Sequence, residues 1–200
     1  MLLNNNALSL LEFAHSAFKK RSTQMSLDYL LILIAIKNGA NTRELIALFV
    51  GRSTPLGVKL ALDQLAEDKL IKNKIIKNPD TGRSVTEYAL TLKAERVQHI
   101  FEDPAILVFC DCVRRFLCIN KARPLLKHLV VILNFARIPL QTKKDFRAYW
   151  ANSAQEADDA LRLFRKLNVL TDSKLDDDGR VVLLTLTELG VQLIPEGLRL

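Results

Sequence analysis

Two stretches of this chain, ninety-nine residues apart, carry the same succession of caps and apolar positions, and that repeat limits the fold more than any other feature. Thr54, Val58, Ala61, Leu62 and Leu65 correspond to Ser153, Ala157, Ala160, Leu161 and Phe164. The apolar members recur at helical intervals of three and four, behind a hydroxyl residue of the kind that caps helix N-termini. Downstream, Asp80-Thr81-Gly82-Arg83 corresponds to Asp177-Asp178-Gly179-Arg180, and Leu90-Thr91 to Leu186-Thr187. Asp and Gly between two strand-like runs are turn chemistry. Each half therefore specifies a helix followed by a two-stranded hairpin.

The residues before these helices complete the unit. Ala7, Leu10, Leu11, Ala14 and Phe18 form one stripe, predicting an N-terminal helix closed by Lys19, Lys20 and Arg21. Residues 26–38 are apolar on most sides, predicting a central helix that Gly39 ends. Asn41 with Glu44 reads as a capping box for a short helix carrying Leu45, Ile46, Leu48 and Phe49 and stopping at Gly51. Thr54 and Pro55 then suit the cap and first position of a longer helix. A short helix, a glycine turn and a longer helix make a helix-turn-helix. Ile71 to Lys77 and Ser84 to Thr91 are strand-like, and Leu92, Val97, Ile100 and Phe101 predict a further helix. Three helices and a hairpin in this order make a winged helix.

The second half gives the same order: helices over residues 126–135, 142–150 and 153–167, a turn within 175–180 and a return strand over 181–187. Ser153 and Glu156 repeat the capping box. Between the halves, Pro104 to Asn120 predicts a long helix whose apolar residues cover a wide arc, as in helices buried between domains or subunits. The expected fold is mainly α with small β-hairpins (α+β): two tandem winged-helix domains joined by a long helix. The expected boundaries are 1–103 for the N-terminal helix plus first winged helix, 104–123 for the linker helix and 124–200 for the second winged helix.

Composition narrows the function class. The net charge of +7 suits polyanions. The start of the chain lacks a signal-peptide pattern, and the longest apolar run, Tyr29 to Ile36, is too short to span a bilayer. Three cysteines, Cys110, Cys112 and Cys118, sit in one segment without metal-ligand spacing, so a reduced, cytoplasmic protein without metal or cofactor is expected. His15, His99 and His128 fall in separate helices, and no nucleotide-binding or catalytic motif is present, so an enzyme is not expected.

The run from Ser26 through Thr91 resembles the MarR family of transcriptional regulators, through Leu65 with Leu70-Ile71, the Asp80–Arg83 turn and Leu90-Thr91. Leu186-Thr187-Glu188-Leu189-Gly190 is similar to that family's strand-to-helix junction. The resemblance implies a dimeric repressor that binds double-stranded DNA, with Arg83 of the wing entering the minor groove. The family carries one winged helix per subunit and this chain two, so a pseudo-dimer, or a repeat without DNA binding, is also implied. Plasmid or phage replication initiators share tandem winged helices.

The DNA-contacting set expected in the first repeat is Arg52, Ser53, Thr54 and Lys59 on the recognition helix and Lys72, Lys74, Lys77 and Arg83 on the wing. Arginine and lysine donate to guanine or phosphate, and hydroxyls at a helix start suit a phosphate. Leu56 and Leu60 on the same helix face fit thymine methyls or a protein partner equally. The second repeat presents Asp158 and Asp159 on its helix and Asp176, Asp177 and Asp178 on its wing, which repel phosphates. It is expected to dimerise or bind a protein partner, although Lys143, Lys144 and Arg147 are placed to touch a DNA backbone. The alternative function is a protein–protein interaction module on the same scaffold.

Overall fold

The computed structural model describes residues 3–20, 25–77, 81–150, 153–174 and 182–200, the side chains of 18–20 and 174 excepted. The chain is mainly helical with small antiparallel sheets, a winged-helix-like α+β fold, and divides into two compact units: residues 26–107, and residues 1–25 with 108–200.

In the first unit, helix α2 (Asp28–Lys37) is buried at every position from Asp28 to Ile36, as its all-round apolar sequence requires. Helix α3 (Arg43–Val50) is capped by Thr42, whose Oγ1 accepts from the Leu45 amide at 3.3 Å. The cap expected at Asn41 thus falls one residue later. Asn41 is committed to the hairpin instead: its Nδ2 donates to Glu87 at 3.1 Å and its carbonyl accepts from the Tyr88 amide at 2.7 Å. Gly51 ends α3 with φ 69, a left-handed geometry that favours glycine.

The next helix opens differently from its sequence. Thr54 is extended, but its hydroxyl makes no cap bond. Its carbonyl accepts from Gly57 at 3.0 Å, so Pro55–Val58 winds as a 3-10 turn and α4 (Lys59–Glu67) starts later. The axes of Arg43–Val50 and Pro55–Glu67 differ by 82°, close to the helix-turn-helix range. Strands β1 (Ile71–Lys77) and β2 (Ser84–Leu90) pair antiparallel, from Ile71 opposite Leu90 to Lys77 opposite Ser84. The helix expected beyond them is broken at residues 96–97 into α5 (Leu92–Glu95) and α6 (Gln98–Glu102). The tip residues 78–80, with Asp80, lie outside the described residues.

In the second unit, helix α1 (Asn5–Lys20) packs on α8 (Leu126–Arg137), and Leu3 pairs with Arg199. The N-terminal helix, assigned from sequence to the first domain, therefore belongs here. Its stripe of Ala7, Leu10, Leu11 and Ala14 is buried as expected, but the apolar partner is α8. Helix α7 (Pro104–Ile119) precedes α8. Strand β3 (Gln141–Thr142) leads into α9 (Lys143–Trp150), then α10 (Ala154–Lys166), β4 (Leu170–Lys174), β5 (Val182–Leu186) and α11 (Glu188–Gln192). The sheet order is β3-β5-β4. Ser153 caps α10, accepting from Glu156 N at 3.1 Å. The second wing's tip, including Asp176, Asp177, Asp178 and Arg180, lies outside the described residues.

One junction recurs in both units at atomic detail. Lys69 and Asn168 are left-handed, with φ 57 and 55. Leu70 N donates to Leu65 O at 3.0 Å and Val169 N to Phe164 O at 2.8 Å, closing α4 and α10. Thr91 then donates its hydroxyl to Lys69 O at 2.7 Å, as Thr187 does to Asn168 O at 2.6 Å. Each threonine latches the end of the returning strand to the end of the long helix.

Candidate nucleic-acid interface

The outer face of the second helix of the helix-turn-helix is exposed from Gly51 through Gly57 and at Lys59, Leu60 and Asp63, while Val58, Ala61, Leu62 and Leu65 are buried. Helical periodicity places Lys59 on the accessible side. Ser53 and Thr54 are also accessible, at the turn before the 3-10 segment.

Arg52 is held differently from the expected contact. Its Nε donates to Asp28 Oδ2 at 2.8 Å and its Nη2 donates to the same oxygen. Asp28 is buried and its Oδ1 has no hydrogen-bond partner among the described residues, so Arg52 is the counter-charge that makes the carboxylate tolerable there. Although its side chain is 41% exposed, Arg52 is a structural tie from the turn to α2.

On the wing, Lys72, Lys74, Lys77 and Arg83 are all exposed. Strand alternation divides them: Lys72 and Lys74 leave one face of β1 and Lys77 the other. Lys72 and Lys74 border an open groove of about 850 Å³ that is also lined by Lys37, Asn41, Glu87 and Gln98. At its border Lys37 donates to Gln98 at 3.3 Å and also pairs with Glu102 at 2.8 Å. The groove was not legible from sequence, although the alternation of lysines along β1 did signal that they would divide between faces. Among the described residues, none of Lys59, Lys72, Lys74, Lys77 or Arg83 has an acidic partner. Residues 26–107 contain eleven Lys or Arg and ten Asp or Glu, so the excess positive charge of this unit is concentrated over residues 69–83, where five cations stand against Asp80.

In the second repeat, four cations on α9 and α10 are held in ion pairs. Asp158 accepts from Arg147 Nε at 2.8 Å and from Lys143 at 2.9 Å. Arg147 foremost, then Lys143, pulls the Asp158 carboxyl down to about 2. Arg162 pairs with Asp159 at 3.3 Å and Arg165 with Asp172 at 2.7 Å. Lys143 and Arg147, expected as possible backbone contacts, are thus occupied, while Lys144 is exposed. On α7, Arg114 and Arg115 both hold Asp111, at 2.8 and 2.6 Å.

The helix-turn-helix also carries apolar side chains on its surface. Leu48, Leu56 and Leu60 are 76%, 71% and 67% exposed, and Leu45 and Phe49 are exposed beside them on α3. Exposure of Leu56 and Leu60 is expected from the sequence; that of the α3 residues is not. Their signal was present: Leu45, Leu48 and Phe49 share one helical face opposite the buried Ile46, Ala47 and Val50.

Among the described residues no group of His, Cys, Asp or Glu is placed to hold a metal ion, and no single helix is long and apolar enough to cross a membrane. No family model matches the chain, and no curated protein does. A similar solved structure is that of a cysteine-to-serine mutant of ZitR from Lactococcus lactis, with 26% identity over 40% of this chain and a TM-score of 0.33. That likeness spans 51% of the ZitR chain.

Proposed function

We propose that the chain is a sequence-specific DNA-binding transcriptional regulator, with the first winged helix engaging duplex DNA and the second repeat serving dimerisation or a protein partner. The carrying observation is the contrast in charge pairing between the repeats. The first wing displays Lys72, Lys74, Lys77 and Arg83 without acidic partners among the described residues, whereas Lys143, Arg147, Arg162 and Arg165 of the second repeat are consumed in ion pairs. Unpaired cations on a projecting hairpin release phosphate counterions at no cost in broken ion pairs. In this reading Lys59, Ser53 and Thr54 meet the duplex beside the wing, and Leu56 and Leu60 meet thymine methyls. Arg52 serves the fold.

The test is anisotropy of a labelled duplex, selected from a random pool, titrated over a range of salt. Each phosphate contact contributes about 0.9 to the slope of log K against log salt. The double variant Lys74→Glu, Lys77→Glu is expected to lower affinity at least tenfold and flatten the slope by about 2. Unchanged affinity and slope in that variant would overturn the proposal.

A second reading rests on the exposed Leu45, Leu48, Phe49, Leu56 and Leu60. Charged groups and hydroxyls, not five apolar side chains, suit a phosphate-facing helix-turn-helix, and exposed apolar groups in such number mark protein contacts. Here the scaffold is an interaction module whose docking face is the helix-turn-helix. Leu45→Lys with Leu48→Lys, on the exposed face of α3 and outside the residues assigned to the duplex, separates the readings: added cations strengthen or preserve DNA affinity, whereas they abolish a protein contact.

A further inference from the structure

We infer that the groove beside the first wing is a binding site for a phosphorylated sugar. Every residue around it lies between Ile36 and Gln98, so it belongs to the first unit alone. Its volume of about 850 Å³ is within the range of small-molecule sites. The rim formed by β1 is cationic. Lys72 and Lys74 are two residues apart on one face of the strand, which sets their stems about 7 Å apart. Glu87 stands directly opposite Lys74 in the register, yet its carboxylate accepts from Asn41 Nδ2 at 3.1 Å. Lys74 is left without an acidic partner among the described residues, and so is Lys72, opposite the small, exposed Ala89. Two ammonium groups on flexible stems can close on one phosphate dianion from both sides.

The helical wall, from α2, α5 and α6, offers hydroxyl-binding groups in place of free charge. Its cation, Lys37, is spent on Gln98 Oε1 at 3.3 Å and on Glu102 at 2.8 Å. Gln98 is thereby held by its carbonyl oxygen, with its amide hydrogens left to donate, and the exposed Glu95 supplies an acceptor. Ile36, Ala89 and Leu90 add apolar surface. Unspent cations, a donor with an acceptor, and an apolar strip match the phosphate, the hydroxyls and the C–H face of a sugar phosphate. A simple carboxylic acid would use the cations alone, and a polyanion would be repelled by Glu95. Lys72 and Lys74 also serve the duplex in the reading above, so sugar phosphate and DNA exclude each other at these two residues. The test contains no DNA, and its failure leaves that reading untouched.

The full chain is titrated by calorimetry at physiological salt with glucose-6-phosphate, ribose-5-phosphate, glucose and inorganic phosphate. One of the sugar phosphates is expected to saturate a single site at least tenfold more tightly than inorganic phosphate, and glucose to give no binding heat. Ala89→Trp fills the groove without changing its charge and is expected to weaken the sugar phosphate at least tenfold, with circular dichroism unchanged because Ala89 is exposed. Lys72→Gln with Lys74→Gln should do the same, and Gln98→Ala should bring the preference over inorganic phosphate to within twofold. Equal affinity for inorganic phosphate and sugar phosphate, an adventitious ion only, would overturn the proposal. So would binding that survives Ala89→Trp in folded protein, or no binding of either sugar phosphate.

Discussion

Removing Arg52 is a stability experiment as much as a binding one. Asp28 is buried on α2, and Arg52 provides both of its charged hydrogen bonds, on Oδ2, while Oδ1 has no partner among the described residues. Arg52→Ala would leave a carboxylate in an apolar helix core with nothing to neutralise it. Breaking a fully buried pair costs about 3–5 kcal/mol. The Arg52 side chain is 41% exposed, so water reaches the vacated site and a discounted cost of about 2 kcal/mol is appropriate. With a urea slope of about 1–3 kcal/mol per molar, the unfolding midpoint of the first unit falls by about 1 M. Far-UV circular dichroism over a urea titration reads this directly. The double variant Asp28→Ala, Arg52→Ala should recover at least half of the loss, because the unpaired charge is gone. DNA affinity, measured on folded protein, should change by less than about threefold, below the ~1.4 kcal/mol that a tenfold effect requires. A tenfold loss of affinity with an unshifted urea midpoint would refute the structural assignment of Arg52 and restore it to the DNA-contacting set.

Three further perturbations follow from buried geometry. His128 Nδ1 accepts from Leu125 N at 3.1 Å, and burial, helped by Lys127, pushes its pKa down to about 3. The folded pKa lies below the unfolded value near 6.5, so the stability tied to the neutral ring is complete above pH 6.5 and is lost toward pH 3, by up to about 1.4 kcal/mol per pH unit; His128→Gln should flatten that slope in pH-dependent urea titrations. At Gly190 a Cβ would overlap the Val169 carbonyl oxygen and meet Leu186 Cδ2 at 2.9 Å, so Gly190→Ala should lower stability by about 3 kcal/mol in the same assay, and wild-type stability would contradict the packing of α11 on β5. Thr91→Val removes a donor to the carbonyl beyond the end of α4 and should cost about 1 kcal/mol, and Thr187→Val should cost about 1 kcal/mol more than that, because the Thr187 hydroxyl also accepts from the Gly190 amide at 3.1 Å and caps α11.

Sequence periodicity placed the repeated elements because a buried helical face must recur at three- and four-residue intervals wherever it packs. The inner faces of α4 and α10 are buried at the positions the shared offset picks out. Partner choice is a different kind of information. The stripe of Ala7, Leu10, Leu11 and Ala14 states that α1 buries something, and nothing in it distinguishes α8 from the first winged helix. Likewise, Arg52 looks like a free cation until the fold brings Asp28, twenty-four residues earlier, to its guanidinium. Caps are ambiguous for a related reason: Asn41 and Thr42 both offer a side-chain oxygen, and only the position of β2 shows that Asn41 is used on Glu87.

The two repeats diverge in charge where they do not diverge in geometry. The left-handed residue, the closing bond of the long helix and the threonine hydroxyl on its terminal carbonyl are the same in both, within 0.2 Å for each paired bond. All three satisfy backbone polar groups at the end of the long helix, a demand that does not depend on the charge of the surface. Surface charge is under no such constraint. Asp158 can gather Arg147 and Lys143 in one repeat, while the corresponding position in the other, Lys59, is itself a cation with no acidic partner among the described residues. A carboxylate at this point of the long helix turns its neighbouring cations inward and removes them from any polyanion. Exchanging the residues tests whether charge alone separates the repeats: Lys59→Asp should suppress DNA binding by the first, and Asp158→Lys, by freeing Arg147 and Lys143, should raise the chain's nonspecific DNA affinity at low salt. If neither changes affinity, pairing of surface charge does not divide the labour between the two halves.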